Sequence, residues 1–274
     1  MVNPREGIFC KSWQSRWGCV VHIAATVKAT GQHILEKFGL YLTNRPVVVG
    51  RDSILGSYAP YGQLSTIGSR SDYFIHEGYE HRREPRYFDA TSSTDDWQDE
   101  VYRFAREIAD QFNFRSVIDI GCGSGFKLLK YFRDCATIGI DVPETCSVLK
   151  DRYPNRRWAV ADFSALTVPQ ADLVIVSDVI EHVPDPDAFL LYILRLAPRS
   201  VILSTPDRNL LRMGTHNGPP QNPTHLREWS MAELHAYLSV FLEIDEHFTS
   251  SAAQATQCVL ARPRSMGTSQ GKEE

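Results

Sequence analysis

Ten residues constrain this chain more than any others: Val117-Ile118-Asp119-Ile120-Gly121-Cys122-Gly123-Ser124-Gly125-Phe126, an apolar run entering a turn with glycine at every second position and leaving it as a helix. Strand, glycine turn and helix in that order form the first half of a parallel βαβ unit, because a parallel neighbour is reached only by a crossover. The bare backbone at Gly121, Gly123 and Gly125 permits positive φ and lets a ligand approach the N–H groups at the helix start. A ligand is therefore expected at the carboxyl end of this strand. The dinucleotide fingerprint G-x-G-x-x-G needs its third glycine where Phe126 stands, which argues against a nicotinamide cofactor.

The surrounding pattern agrees. Val101, Phe104, Ala105, Ile108, Ala109 and Phe112 recur at i, i+3, i+4, i+7, i+8 and i+11, one face of an amphipathic helix in a domain that starts near residue 95. Strands are expected at 136–141, 157–161, 173–177 and 200–204, with helices at 144–152, 186–196 and 230–241 and a closing antiparallel hairpin from 242–248 and 256–262. Such alternation specifies an α/β fold with a doubly wound, mostly parallel sheet of seven strands.

Two carboxylate-bearing strand ends add chemistry. Asp141 closes Ile138-Gly139-Ile140-Asp141, 22 positions after Asp119, where a carboxylate can accept hydrogen bonds from two vicinal ribose hydroxyls. The buried-type run Leu173-Val174-Ile175-Val176-Ser177 ends in Asp178-Val179-Ile180-Glu181-His182, a burst of ionisable groups that belongs at the edge of a site.

Asp119-x-Gly121-x-Gly123-x-Gly125 is similar to the first motif of class I S-adenosylmethionine-dependent methyltransferases, and Asp178-x-x-Glu181-His182 strongly resembles an element of a large subgroup of them. Ser204-Thr205-Pro206-Asp207-Arg208 and Pro223-Thr224-His225-Leu226-Arg227-Glu228-Trp229-Ser230 resemble that subgroup's substrate loop. The looser likeness is to members found beside sugar- and polysaccharide-modifying enzymes. The resemblance covers about residues 95–262 and implies S-adenosyl-L-methionine as cofactor. It places Asp119, Gly121, Cys122, Gly123 and Gly125 under the methionine moiety, Asp141 and Val142 at the ribose, Asp162 and Phe163 at the adenine, and Asp178 at the site edge. Cys122 is expected as a small packing residue rather than a reactive thiol.

A hydroxyl acceptor must lose its proton, and histidine, with a pKa near 6.5, is suited to taking it. His182 is the first candidate base and His225 the second, with no metal assigned. The expected reaction is O-methylation of a small-molecule or glycan hydroxyl. Asp178, Glu181, His182 and His225 also resemble the metal-binding set of methyltransferases acting on the 2′-hydroxyl at small-RNA ends, with Asp178 in the place of a glutamate. A non-catalytic S-adenosylmethionine-binding protein is the third reading. The stretch 206–228, 23 residues with little periodicity, is too long for a simple connector and is expected to form a lid or acceptor wall, with Arg208, Arg212 and Arg227 available for a phosphate or carboxylate.

Composition bounds these readings. The 274 residues, 43% hydrophobic and 23% charged, suffice for one large domain and an appendage. A net charge of −4 argues against a nucleic-acid scaffold. Six cysteines without a C-x-x-C pair, no recognisable leader and no apolar run of about 18 residues point to a cytoplasmic protein without a transmembrane segment. Residues 1–94 read as a partly helical N-terminal extension, with a helix over 20–38 packed on the main domain and a solvated linker over 79–88. Residues 95–264 are the catalytic-type domain, and 265–274 a disordered tail. No sequence feature sets an oligomeric state.

Overall fold

The computed structural model describes residues 73–83, 97–163, 168–212 and 217–264. The expected helix over 20–38 and the tail over 265–274 lie outside them. In chain order the elements are α1 (Asp99–Gln111), β1 (Ser116–Ile120), α2 (Phe126–Tyr131), β2 (Ala136–Asp141), α3 (Pro143–Arg152), β3 (Arg157–Val160), β4 (Leu173–Ser177), a 3₁₀ turn (Ile180–His182), α4 (Pro186–Arg195), β5 (Ser200–Pro206), α5 (Arg208–Arg212), α6 (Met231–Leu238), β6 (Leu242–Ser251) and β7 (Thr256–Pro263).

The seven strands form one sheet in the order β3-β2-β1-β4-β5-β7-β6. The first five run parallel, and β7 lies antiparallel between β5 and β6. This is the expected doubly wound sheet with its hairpin. Strand order reverses between β1 and β4, and in open α/β sheets the crevice outside the carboxyl ends at such a switch point is where ligands bind. Gly121 follows β1 and Asp178 follows β4, so the two motifs singled out from the sequence meet there.

All five residues of β4 are buried, as a central parallel strand covered on both faces requires. Alternate side chains enter two separate cores. Val174 and Val176 join Phe189, Leu190 and Ile193 of α4 and Leu234 and Leu238 of α6, whereas Leu173 and Ile175 join Val101, Ala105 and Ile108 of α1, Leu128 of α2 and Leu149 of α3. Local signals set the helix starts. Asp185 caps α4 by accepting the Ala188 N–H at 3.0 Å, and Ser230 with Glu233 forms a capping box on α6.

Three details differ from expectation. Phe112 falls just past α1 and is 46% exposed, stacked on Phe114 rather than facing the sheet. Helix α6 stops at Leu238, short of residue 241, and β6 runs on to Ser251. Residues 79–83 are not a solvated linker: the backbone N–H groups of Glu80 and Arg82 donate to the carbonyls of Asn217 and Leu226, and the Arg82 side chain donates to the carbonyls of Pro220 and His225.

Candidate active site

The glycine turn takes the backbone geometry its sequence anticipates. Gly121 and Gly125 have φ of 74° and 69°, in the left-handed region. A Cβ on Gly121 would run into the Val179 side chain, and one on Gly125 would lie 2.8 Å from the Trp158 ring. The first of these approaches also shows that the segment after β4 lies against the turn.

Asp141 joins the turn to the end of β2. Its Oδ2 accepts the Gly123 N–H at 2.8 Å and its Oδ1 accepts the Val142 N–H at 2.8 Å. Asp119 lies beneath the turn with no exposed surface, its two oxygens accepting from the Tyr102 hydroxyl at 3.1 and 3.0 Å. Burial pushes its carboxyl up from 3.8 to about 7, although Tyr102 and Lys127 pull the other way. Cys122 is buried and burial pushes its thiol well up, so it is an inert packing group. After β3, Asp162 is exposed and Phe163 is half-buried, its ring packed on Phe189 and Tyr192 of α4 at 4.9 and 5.3 Å.

At the end of β4 the chain kinks. Asp178 has φ of 52°, uncommon for a residue with a side chain. Ser204 of β5 holds it there: the Asp178 N–H donates to the Ser204 carbonyl at 3.1 Å, and the Ser204 hydroxyl donates to Asp178 Oδ1 at 2.7 Å. The kink leads into the 3₁₀ turn that carries Glu181 and His182. Burial raises the Asp178 carboxyl, against the pull of Gln98, Ser204 and both histidines.

Glu181, His182 and His225 converge, each offering one ligand-type atom with all three atoms within 4.8 Å of one another. His182 Nδ1 donates to the Thr224 carbonyl at 2.8 Å, which leaves the Nε2 lone pair as its acceptor, 3.9 Å from Glu181 Oε1. Burial lowers the His182 pKa. Glu181 is fully buried; Oε2 accepts from the Thr205 hydroxyl at 2.8 Å, and Oε1 has no hydrogen bond. Burial, then the charge of Asp178, pushes its carboxyl up to about 8. His225 stands edge-on to His182 with ring centroids 4.9 Å apart. Its Nδ1 meets Glu228 Oε1 at 2.8 Å and its Nε2 meets Asn222 Nδ2 at 2.9 Å.

The three loop arginines are structural. Arg208 pairs with Glu233 at 2.6 Å and donates to the Glu228 carbonyl, Arg212 pairs with Glu228 at 3.1 Å, and Arg227 donates to the carbonyls of Val183 and Pro184. The sequence singles out no role for Tyr102, and it offers Thr205 and Glu228 only as members of the stretches that resemble a substrate loop. A tyrosine on the buried stripe of α1 signals the first, since a buried hydroxyl needs a partner, and the spacing His225-x-x-Glu228 signals the last.

Residues 79–243 match the family model described as "Methyltransferase domain". A Mycolicibacterium smegmatis (strain ATCC 700084 / mc(2)155) protein named a probable S-adenosylmethionine-dependent methyltransferase is 36% identical over 127 residues, covering 44% of this chain and 48% of that protein. A Mycobacterium tuberculosis (strain ATCC 25618 / H37Rv) protein of like name is 29% identical over 137 residues, covering 48% of this chain and 50% of its own. The chain thus spans about half the length of the curated relatives it matches. Among solved structures, the methyltransferase domain of bacterial CtHen1-C superposes with a TM-score of 0.48 at 20% identity, covering 61% of this chain and 99% of that one.

Proposed function

Because this chain belongs to the methyltransferase-domain family, in its class I S-adenosylmethionine-dependent form, we propose that it transfers the methyl group of S-adenosylmethionine to a hydroxyl of a small-molecule or glycan acceptor. The residues at the switch point support that cofactor: a glycine turn with left-handed φ at Gly121, Gly123 and Gly125, and at the end of β2 the Asp141 carboxylate, which accepts the Gly123 N–H and stands where a ribose diol would lie. Bound there, S-adenosylmethionine supplies an electrophilic sulfonium methyl group.

The observation that carries the acceptor side is His182. Thr224 fixes its Nδ1–H, so the basic Nε2 faces the cluster beside the turn, and burial keeps the ring neutral and ready to accept a proton. In this reading His182 Nε2 takes the hydroxyl proton as the acceptor oxygen attacks, and the packed segments 79–83 and 217–229 help to exclude water. His182→Ala should keep cofactor affinity and lose about a hundredfold or more in turnover, the range a positioned base contributes. Parallel loss of cofactor binding would make His182 a structural prop.

A second reading has one observation in its favour: the Glu181 Oε1 atom is buried and lacks a hydrogen bond, within reach of His182 and His225. These three would hold a divalent cation, and the acceptor class would then extend to an RNA 2′-hydroxyl. Against it, Asn222 occupies His225 Nε2, and Ser204 holds the Asp178 carboxylate. Turnover should therefore survive EDTA; loss on chelation with recovery on adding manganese or magnesium would promote the metal reading.

A further inference from the structure

We propose that Arg82 is a positioning residue for the methyl transfer: from outside the site it fixes the loop turn whose Thr224 carbonyl holds the His182 ring with Nε2 open. The inference rests on the reading of His182 as the proton acceptor.

The chain of contacts is short. His182 keeps its proton on Nδ1 because that atom faces the Thr224 carbonyl at 2.8 Å, and which ring nitrogen can accept is set by the bond the other one makes. The direction of that carbonyl is therefore part of the site. The next two residues tie it to partners from two other segments. The Leu226 N–H donates to the Glu181 carbonyl at 2.8 Å, in the 3₁₀ turn that carries His182, and the Leu226 carbonyl accepts the Arg82 N–H at 2.7 Å. The Arg82 side chain adds two bonds of its own. Its Nε donates to the His225 carbonyl, adjacent to that of Thr224, at 3.2 Å, and its Nη2 donates to the Pro220 carbonyl at 2.7 Å. One planar fork thus spans both ends of the turn that presents Thr224, through charge-assisted bonds.

Other contacts shape this turn without setting its place. Asn222 Oδ1 accepts the Thr224 N–H at 3.0 Å and the Thr224 hydroxyl at 2.8 Å, both within the turn itself. Arg82 comes from a different segment, and the two backbones approach closely: a Cβ on Gly218 would run into the Glu80 carbonyl. The loop also has anchors that do not involve the Arg82 side chain. Arg227 donates to the carbonyls of Val183 and Pro184, and the Glu228 N–H donates to the Tyr79 hydroxyl at 3.0 Å. Truncating Arg82 leaves these bonds and its own N–H in place, so the loop stays docked while the turn over 220–225 is released.

The test is nuclear magnetic resonance of the full chain labelled with ¹⁵N-histidine at about pH 8, above the ordinary histidine pKa, with S-adenosylhomocysteine in excess and EDTA present. Long-range ¹H–¹⁵N correlation distinguishes protonated from unprotonated ring nitrogens, and His182→Gln identifies the ring. The parent should carry the His182 proton on Nδ1. In Arg82→Ala the form protonated on Nε2, which a free imidazole favours, should become the majority. Arg82→Lys, which can reach one of the two carbonyls, should fall between, and millimolar guanidinium should return Arg82→Ala toward the parent. Circular dichroism and S-adenosylhomocysteine affinity should stay unchanged in both variants. A parent ring protonated on Nε2, a parent-like His182 spectrum in Arg82→Ala, or a tautomer change that guanidinium does not reverse or that comes with lost S-adenosylhomocysteine affinity would each overturn the proposal. No acceptor enters this experiment, so its failure is distinct from that of the base assignment, which the turnover of His182→Ala tests.

Discussion

Replacing Asp119 by asparagine should change the pH dependence of stability in a direction and amount that follow from its surroundings. The carboxyl has no exposed surface, its hydrogen-bonding partner among the described residues is the Tyr102 hydroxyl, and burial lifts it from 3.8 to about 7. An acid raised in the folded state contributes stability that is fully present below the unfolded value, near 3.8, and is lost as pH rises through about 7. At about 1.36 kcal/mol per pH unit, the interval corresponds to roughly 4 kcal/mol lost between about pH 4 and 8. Asparagine does not titrate, but it keeps one oxygen to accept from Tyr102 and turns an NH2 toward the same hydroxyl, so at least one amide N–H is left unsatisfied in the buried site, a cost of about 1–3 kcal/mol at every pH. The variant should therefore be less stable than the parent near pH 4 and equal or superior near pH 8. Urea unfolding of the ligand-free protein across that range, with equal m-values, measures it. A difference between the two proteins that stays constant from pH 4 to 8 would show that Asp119 is ionised throughout and that the burial argument is wrong.

Gly123, at φ of 52° with its N–H on Asp141, should not tolerate valine: Gly123→Val should abolish the rise in melting temperature that S-adenosylhomocysteine gives the parent, and an undiminished rise would remove the turn as the cofactor site. Arg208→Met should lose about 1–3 kcal/mol, because Glu233 keeps the His76 and Ser230 N–H groups but loses its guanidinium, seen as a drop of roughly 5 °C in Tm; no measurable loss would return Arg208 to the role of acceptor ligand.

The parts of the fold read correctly from sequence are those whose signals are local. The run 173–177 is apolar at four of five positions because both faces of a central strand are covered, and no other placement satisfies it. The glycines at 121 and 125 report a backbone requirement of their own, φ near 70°, before any ligand is considered. Ser230 and Glu233 specify a helix start with four residues. In each case the residue and its reason lie within a few positions of each other.

The candidate site is legible only in part because its partners come from far along the chain. Arg208, Arg212 and Arg227 look from the sequence like a set of cations awaiting an anion, yet the groups that take them are Glu233, Glu228 and the carbonyls of Val183 and Pro184, up to 44 positions away. His182 and His225 could be nominated from chemistry, but the ranking between them depends on the other ring nitrogen. Thr224 engages His182 through Nδ1 and leaves Nε2 open, whereas Glu228 and Asn222 engage both nitrogens of His225. That difference favours His182 as the proton acceptor, and it makes Asn222 decisive for His225. Freed from the Asn222 amide, His225 Nε2 would gain the same open lone pair, with the buried Glu228 carboxylate behind it, and the two histidines would become interchangeable in kind.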